Sequence, residues 1–485
     1  MTARPSAQRL TLAVAFFFLV LSFALYAFAP DDYSLGYCAA VLAVFLASTA
    51  WFIKKSLFGN YFNFHVLFII GFFLVHFVYP VFVYPNRPFL FKVFERGFDP
   101  SLITVSTALA LLGMNAYILG AVFGGKIKNV PPGGWDAERY RPLETPLFVL
   151  SLALFALFVF FSRDNIARGV FNAYSTASEY LLIAFQGIFP LALMVSFVGR
   201  LPHDDGRGRS LFRVFRPRLV GLSVLAVFVF LYVGDRGPAI QIVLIYGALF
   251  TTFLRPLRLM VFAILIAAGM YLMMFVSQAR TVYDDTREDE STIIAYYKRG
   301  AERFVPESVF DFGRDMIVNN RNLYLAVSYV QNNERTLGRT FLTQILSVVP
   351  GLQSVYVTLF HVDLQDISSG QLLTYHEYEG GARGAGLGNT IIADVYISFG
   401  AAGVLVMMML FGYANMKFQR GAIDKVHLYY LIAYVVSLSF SIYYPRSGYF
   451  TALRGILWPA AIVWLFEKFV RKPAAEGSPF AGSGA

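Results

Sequence analysis

Four arginines, one histidine and two carboxylates are the side chains in this sequence best placed to do chemistry. Arg236 stands in GDRGP, Arg280 in SQART, Arg446 in YYPRSGYF and Arg454 eight positions further on, each at the end of an apolar run or inside one. A guanidinium offers a rigid fork of donors that binds phosphate or carboxylate bidentately, so arginines gathered in a water-poor hollow suit an anionic ligand. For Arg236 the competing reading is a pair with its neighbour Asp235; for Arg280 it is an anchor at the membrane surface. Arg454 falls within an apolar run, where a charge turned to lipid is costly, so it should face the protein interior. If a helix begins near Arg446, the eight-residue spacing puts Arg446 and Arg454 on about the same face, aimed into one cavity.

A second cluster lies between Tyr375 and Gly412, in YHEYEGGARGAGLGNTIIADVYISFGAAGVLVMMMLFG. His376, followed by Glu377 and Glu379, is a candidate proton acceptor near neutral pH, against the plain reading of a solvated loop histidine. Asp394 is a lone carboxylate in an apolar run, and an acid in a membrane helix must face protein or water, which makes it a functional candidate. The plain reading of this stretch is a sharp loop before a helix whose Gly400 and Gly403 permit close packing. No His, Asp or Glu cluster has metal-ligand spacing, so neither a metal nor another cofactor is expected. The chain also lacks a Walker A loop, a dinucleotide fingerprint and a nucleophile elbow, which argues against energy drawn from cytoplasmic nucleotides.

The elements that must position these residues are membrane helices. Of the 485 residues 57% are hydrophobic and 14% charged, with mean hydropathy +0.58; in an ordinary soluble protein about a quarter are charged. Apolar runs long enough to cross a bilayer recur along the chain and give an all-α polytopic fold of about twelve spans. They lie near Leu10 to Phe28, Tyr37 to Phe52, Phe64 to Val83, Leu102 to Val122, Pro146 to Phe161, Leu181 to Val198, Leu219 to Val233, Pro238 to Leu254, Leu259 to Val276, Ile391 to Phe411, Val426 to Phe440 and Phe450 to Phe466. Basic residues collect in alternate loops on the side of the N-terminus, among them Lys54, Lys126, Arg139, Arg255 and Lys417, so that side and both termini are cytoplasmic. The net charge of +10 is thus a topology signal and not a nucleic-acid one. On the outer side the basic residues are arginine apart from Lys92 and Lys298.

The layout reads as residues 1–276 carrying spans one to nine, a large outer loop at 277–390, spans ten to twelve at 391–472 and a disordered tail at 473–485. The loop is too long to be unstructured. Helical periodicity from Ser291 to Val330 and a short apolar run from Phe341 to Val349 predict a cap of amphipathic helices lying on the membrane domain. The single cysteine, Cys38, excludes an intramolecular disulfide.

GLGNTIIADVYISFGAAG, GDRGP before an apolar helix, the long late outer loop and the arginine-bearing turn before the last span resemble the bacterial oligosaccharide repeat-unit polymerases, the Wzy-type O-antigen or capsule polymerases. That family often has Glu where this chain has Asp394, and the related ligases place a histidine in the late outer loop, a role His376 matches. The resemblance implies a GT-C-like glycosyltransferase of the bacterial inner membrane, active on the periplasmic side in lipopolysaccharide synthesis. It implies a growing glycan on undecaprenyl diphosphate as donor, a hydroxyl of the next lipid-linked unit as acceptor, and a chain-length regulator as a further partner. Arg236, Arg280, Arg446 and Arg454 would then bind the departing diphosphate without metal, and His376, Glu377 or Asp394 would take the acceptor's proton.

Three other readings compete. A metal-dependent GT-C transferase using polyprenyl-phosphate sugars would use Asp31 and Asp32 in the first outer loop. A lipid-linked oligosaccharide flippase or exporter would need polar residues at mid-bilayer depth, whereas most spans here are rich in Phe, Leu and Val. The last is a non-catalytic partner in a polysaccharide assembly machine.

Overall fold

Each of these apolar runs is helical in the computed structural model, which describes residues 5–56, 60–95, 98–126, 137–168, 176–201, 214–285, 308–378, 386–425 and 427–470. In chain order the helices are α1 (Pro5–Ala27), α2 (Leu35–Ser56), α3 (Phe64–His76), α4 (Leu102–Gly124), α5 (Ala137–Phe161), the short α6 (Arg163–Arg168), α7 (Thr176–Val198), α8 (Pro217–Tyr232), α9 (Arg236–Phe253) and α10 (Leu259–Asp285). The polar segment contributes α11 (Arg314–Ile317), α12 (Asn320–Asn332), α13 (Arg339–Leu346), α14 (Leu352–Phe360) and α15 (Ser369–Glu377). Then come α16 (Ile391–Asp424), α17 (Leu428–Phe440) and α18 (Leu453–Leu465). Among the described residues six helices, α1, α2, α4, α5, α7 and α16, are long and apolar enough to cross a membrane, and α3, α8, α17 and Leu259–Leu272 of α10 are shorter apolar helices. The protein is a multi-pass helical membrane protein. The expected tail at 473–485 and the first part of the expected outer helix, 291–307, lie outside the described residues.

Helix α4 is buried along nearly its whole length and forms the centre of the bundle. It meets α16 backbone to backbone. A Cβ added to Gly120 would stand 1.8 Å from the Met409 carbonyl oxygen, and one added to Gly412 2.0 Å from that of Tyr117. Small residues at such a seam let two membrane helices approach closely. The glycine that permits it on α16 is Gly412, not the anticipated Gly400 or Gly403.

Two spans that the sequence reads as continuous are interrupted, for local reasons. The third stops at His76 and resumes as a π-turn over Tyr79–Val83. Pro80 has no N–H to offer the His76 carbonyl, and the Asn320 side-chain amide of α12 donates to that oxygen instead, at 3.5 Å. In α16 the helix breaks at Gly400, whose φ of 65° and ψ of −163° belong to a region open to glycine. The break frees the Ile397 carbonyl, which accepts from the Thr336 N–H at 3.2 Å, while the hydroxyls of Thr336 and Thr340 each lie 3.1 Å from Ser398 Oγ.

The polar segment therefore plugs into the bundle. Where a cap resting on the surface was expected, the α13–α14 connection is wedged against α18. Arg454 Nη2 donates to the Ser347 carbonyl at 2.5 Å and Trp458 Nε1 to that of Val348 at 2.8 Å. Charged residues at the opposite end of the bundle bind one another. Glu467 accepts from Arg139 at 2.6 Å, Tyr140 at 2.9 Å and Tyr429 at 3.0 Å, tying α5 and α17 to the end of α18.

Candidate functional site

A cavity of about 580 Å³ opens between α7, α9, α17 and α18, with the polar segment closing it above, and both Arg446 and Arg454 line it. The same-face argument is not what brings them together. The last helix begins at Leu453, and Arg446 sits in a separate 3₁₀ turn, Tyr444–Arg446, followed by extended Ser447. The chain then folds back through Gly448 to Ala452, with the Thr451 hydroxyl donating to the Gly448 carbonyl at 2.6 Å.

The hydrogen bonds of both guanidinium groups go to backbone carbonyls: Arg446 Nη1 to Asp315 O at 2.9 Å, and Arg454 Nη2 to Ser347 O at 2.5 Å. Arg454 Nε is buried with no hydrogen-bond partner. Burial depresses the basicity of Arg446 and the charge of Arg236 adds to that, while the Asp315 carboxylate opposes it. An anion entering here would meet positive charge already stripped of much of its water, where electrostatic attraction is strongest.

Arg236 is the first residue of α9 and pairs with the Asp315 carboxylate, not only standing beside Asp235 as the sequence suggested. It lines a second hollow, of about 630 Å³, whose wall also includes Arg446. Helix α9 is the partition between the two: Pro238, Gln241 and Ile245 face the first, and Arg236, Ile240 and Val243 the second. Arg446 and Arg454 thus line one cavity, while Arg236 lies on the far side of a wall one helix thick.

Asp394 lies directly behind the cavity lining, fully buried. Its Oδ2 accepts from the Tyr449 N–H at 2.7 Å, both oxygens accept from Gln344 Nε2 at 3.2 Å, and Ser369 Oγ donates to Oδ1. Asn389 Nδ2 in turn donates to Ser369 Oγ. Gln344, Ser369 and Asn389 all line the cavity. One carboxylate thereby fixes α13, α15, α16 and the Arg446 turn relative to one another, as a buried acid must if its hydrogen-bonding capacity is to be met.

The other candidates stand elsewhere. Glu377 is paired with the guanidinium of Arg321, whose side chain is 1% exposed, so this carboxylate is committed to a buried partner and is not a free base. His376 is exposed, with its ring edge-on to Tyr329 at 5.4 Å between centroids, and it does not line the cavity. Arg280 belongs to α10, but its side chain lies outside the described residues, as do Glu379 and Arg383. Asp31 and Asp32 line neither hollow. Among the described residues no three His, Cys, Asp or Glu side chains are arranged to hold a metal ion.

Sequence reasoning passed over Gln186 and Gln241, which bring amides from α7 and α9 into the cavity wall. Each is a lone polar residue in an apolar run, the signal that singled out Asp394. Pro190, also in the lining, has no N–H to close the helix onto the Gln186 carbonyl.

Residues 214–472, a little over half of the chain, match the family model described as O-antigen polysaccharide polymerase Wzy. No curated protein and no solved structure matches the chain. The matched stretch contains Arg236, Asp394, Arg446 and Arg454.

Proposed function

Because the chain belongs to the O-antigen polysaccharide polymerase Wzy family, we propose that the cavity bearing Arg446 and Arg454 is where lipid-linked repeat units are joined. Membership makes the protein a polymerising, glycosyltransferase-type membrane protein of O-antigen synthesis. The finer reading is transfer of a growing glycan from undecaprenyl diphosphate to a hydroxyl of the next lipid-linked unit, on the periplasmic side of the bacterial inner membrane. The observation that carries it is two guanidinium groups on one cavity wall whose hydrogen bonds go to carbonyls rather than carboxylates.

The chemistry balances without further reactants. The bond between the donor's anomeric carbon and the diphosphate oxygen breaks, and the diphosphate leaves with the electron pair. The acceptor's hydroxyl oxygen forms the new glycosidic bond. Arg446 and Arg454 stabilise the charge that grows on the leaving group, an effect that preorganised donors supply efficiently in a dry site. The acceptor's proton is assigned to Asp394 by way of Ser369, which lines the cavity and hydrogen-bonds that carboxylate. This path replaces His376 and Glu377, and it assigns the charge on the leaving group to arginine rather than to a metal.

The test is the size distribution of surface glycan in cells carrying variants. Arg446→Ala and Arg454→Ala should each reduce long-chain product by roughly 10²-fold, the usual cost of losing one transition-state donor. Lysine at either position keeps charge but loses the fork and should restore little. Near-normal ladders from both lysine variants would remove bidentate binding from the mechanism. Deleting the protein should leave single repeats at the surface; loss of all outward-facing repeats would favour a flippase.

A further inference from the structure

Beyond Arg446, the second hollow contributes no residue to the transfer step. Its wall is a long apolar slot. Phe262, Leu265, Ile266, Gly269 and Met270 recur at helical spacing along one face of α10, opposite Val243 and Leu244 of α9. From Phe262 to Met274 the helix rises about 18 Å, over half of the roughly 30 Å of a bilayer's hydrocarbon core. The slot's floor is open at Gly269, where an added Cβ would meet nothing within 4 Å. Its outer end is cationic: Lys92, Arg236, Arg314 and Arg446 stand against Asp311 and Asp315. A narrow apolar groove ending in net positive charge is complementary to one lipid chain with an anionic head.

We infer that this groove seats the polyprenyl chain of the donor lipid, with its diphosphate at Arg446. The inference rests on the reading of the neighbouring cavity as the site of polymerisation. Donor and acceptor differ in where their diphosphates must lie. The donor's is bonded to the reacting carbon and must stand at the reaction site, whereas the acceptor's is a whole repeat unit away from its reacting hydroxyl. Arg446 belongs to the walls of both hollows, so a lipid lying in the groove brings its head to the cavity, which is the donor's requirement.

A phospholipid shares the chemistry of chain and anionic head, and the experiment separates the two. The full-length protein in nanodiscs is incubated with undecaprenyl diphosphate or with phosphatidylglycerol, and bound lipid is counted by native mass spectrometry. Gly269→Trp fills the groove; Gly221→Trp, at an exposed position on α8 that also has open space around it, is the control. Gly269→Trp should lower retention of undecaprenyl diphosphate about tenfold or more and leave thermal unfolding unchanged, with Gly221→Trp matching wild type. Wild-type retention in Gly269→Trp would overturn the inference, and so would displacement of the polyprenyl lipid by an equal amount of phosphatidylglycerol. Binding is read without turnover, so the two readings fail separately. If the cavity were not the polymerisation site, Arg454 variants would keep their ladders while Gly269→Trp still lost the lipid.

Discussion

Arg446 and Arg454 donate to backbone carbonyls where several other arginines hold acids. Arg139, Arg236, Arg321 and Arg339 each grip a carboxylate, of Glu467, Asp315, Glu377 and Asp366. Sequence position pointed to Arg446 and Arg454 because they flank or enter an apolar run. It did not show that Glu377 is taken by Arg321, because those residues lie far apart in the chain and the pairing exists only in the fold. Asp394 was legible as a costly acid, but its role as the hub of a polar wall depends on Gln344, Ser369 and Tyr449, brought in from three other segments. Asp394→Asn replaces one acceptor oxygen with a donor and leaves at least one of these buried groups unmatched. A loss of about 1–3 kcal/mol is expected, seen as a lower unfolding temperature in detergent, together with loss of the glycan ladder. A variant with both unchanged would remove Asp394 from the positioning of the wall and from the proton path.

At the scale of elements, the long apolar runs announced the helices, because nothing but a helix satisfies its own backbone within a membrane. Their interruptions were less visible, since each is completed by a distant partner: Asn320 for the break at Pro80, and the loop before α13 for the break at Gly400. The second is testable. A Cβ at Gly400 would stand 2.7 Å from Arg335 Cζ, in a backbone conformation that side chains disfavour. Gly400→Ala should therefore destabilise the protein by about 1–3 kcal/mol, measured by thermal unfolding. Gly36→Ala, where nothing lies within 4 Å of the new methyl, is the matched control. Equal stability of the two variants would mean that the break can be closed without loss.

For the whole molecule, the charge pattern of the sequence separates two sets of loops and assigns one of them to the cytoplasmic side. The inside-out assignment built on this has a direct test. Cys38 is the single cysteine and is buried, so replacing it with serine gives a cysteine-free background. A membrane-impermeant maleimide should label Ser354→Cys in spheroplasts, and Lys55→Cys only after permeabilisation. The reverse pattern would invert the topology. The form of the segment between α10 and α16 was the least legible part, because amphipathicity shows that a helix has a buried face and not how deep it sits.

That depth has a consequence for product length. Trp458, which holds the Val348 carbonyl, is about 7.5 Å along α18 from its first residue, so the wedge enters the bundle from the flank. Between it and Tyr180 and Ile183 of α7 remains a gap of about 180 Å³ that runs up to Arg454. On the proposed reading, this gap lets the growing chain extend out of the cavity past Arg454, so only part of it need be enclosed at each addition. The length already assembled then lies outside the site, and on that reading each addition meets the same cavity walls as the one before.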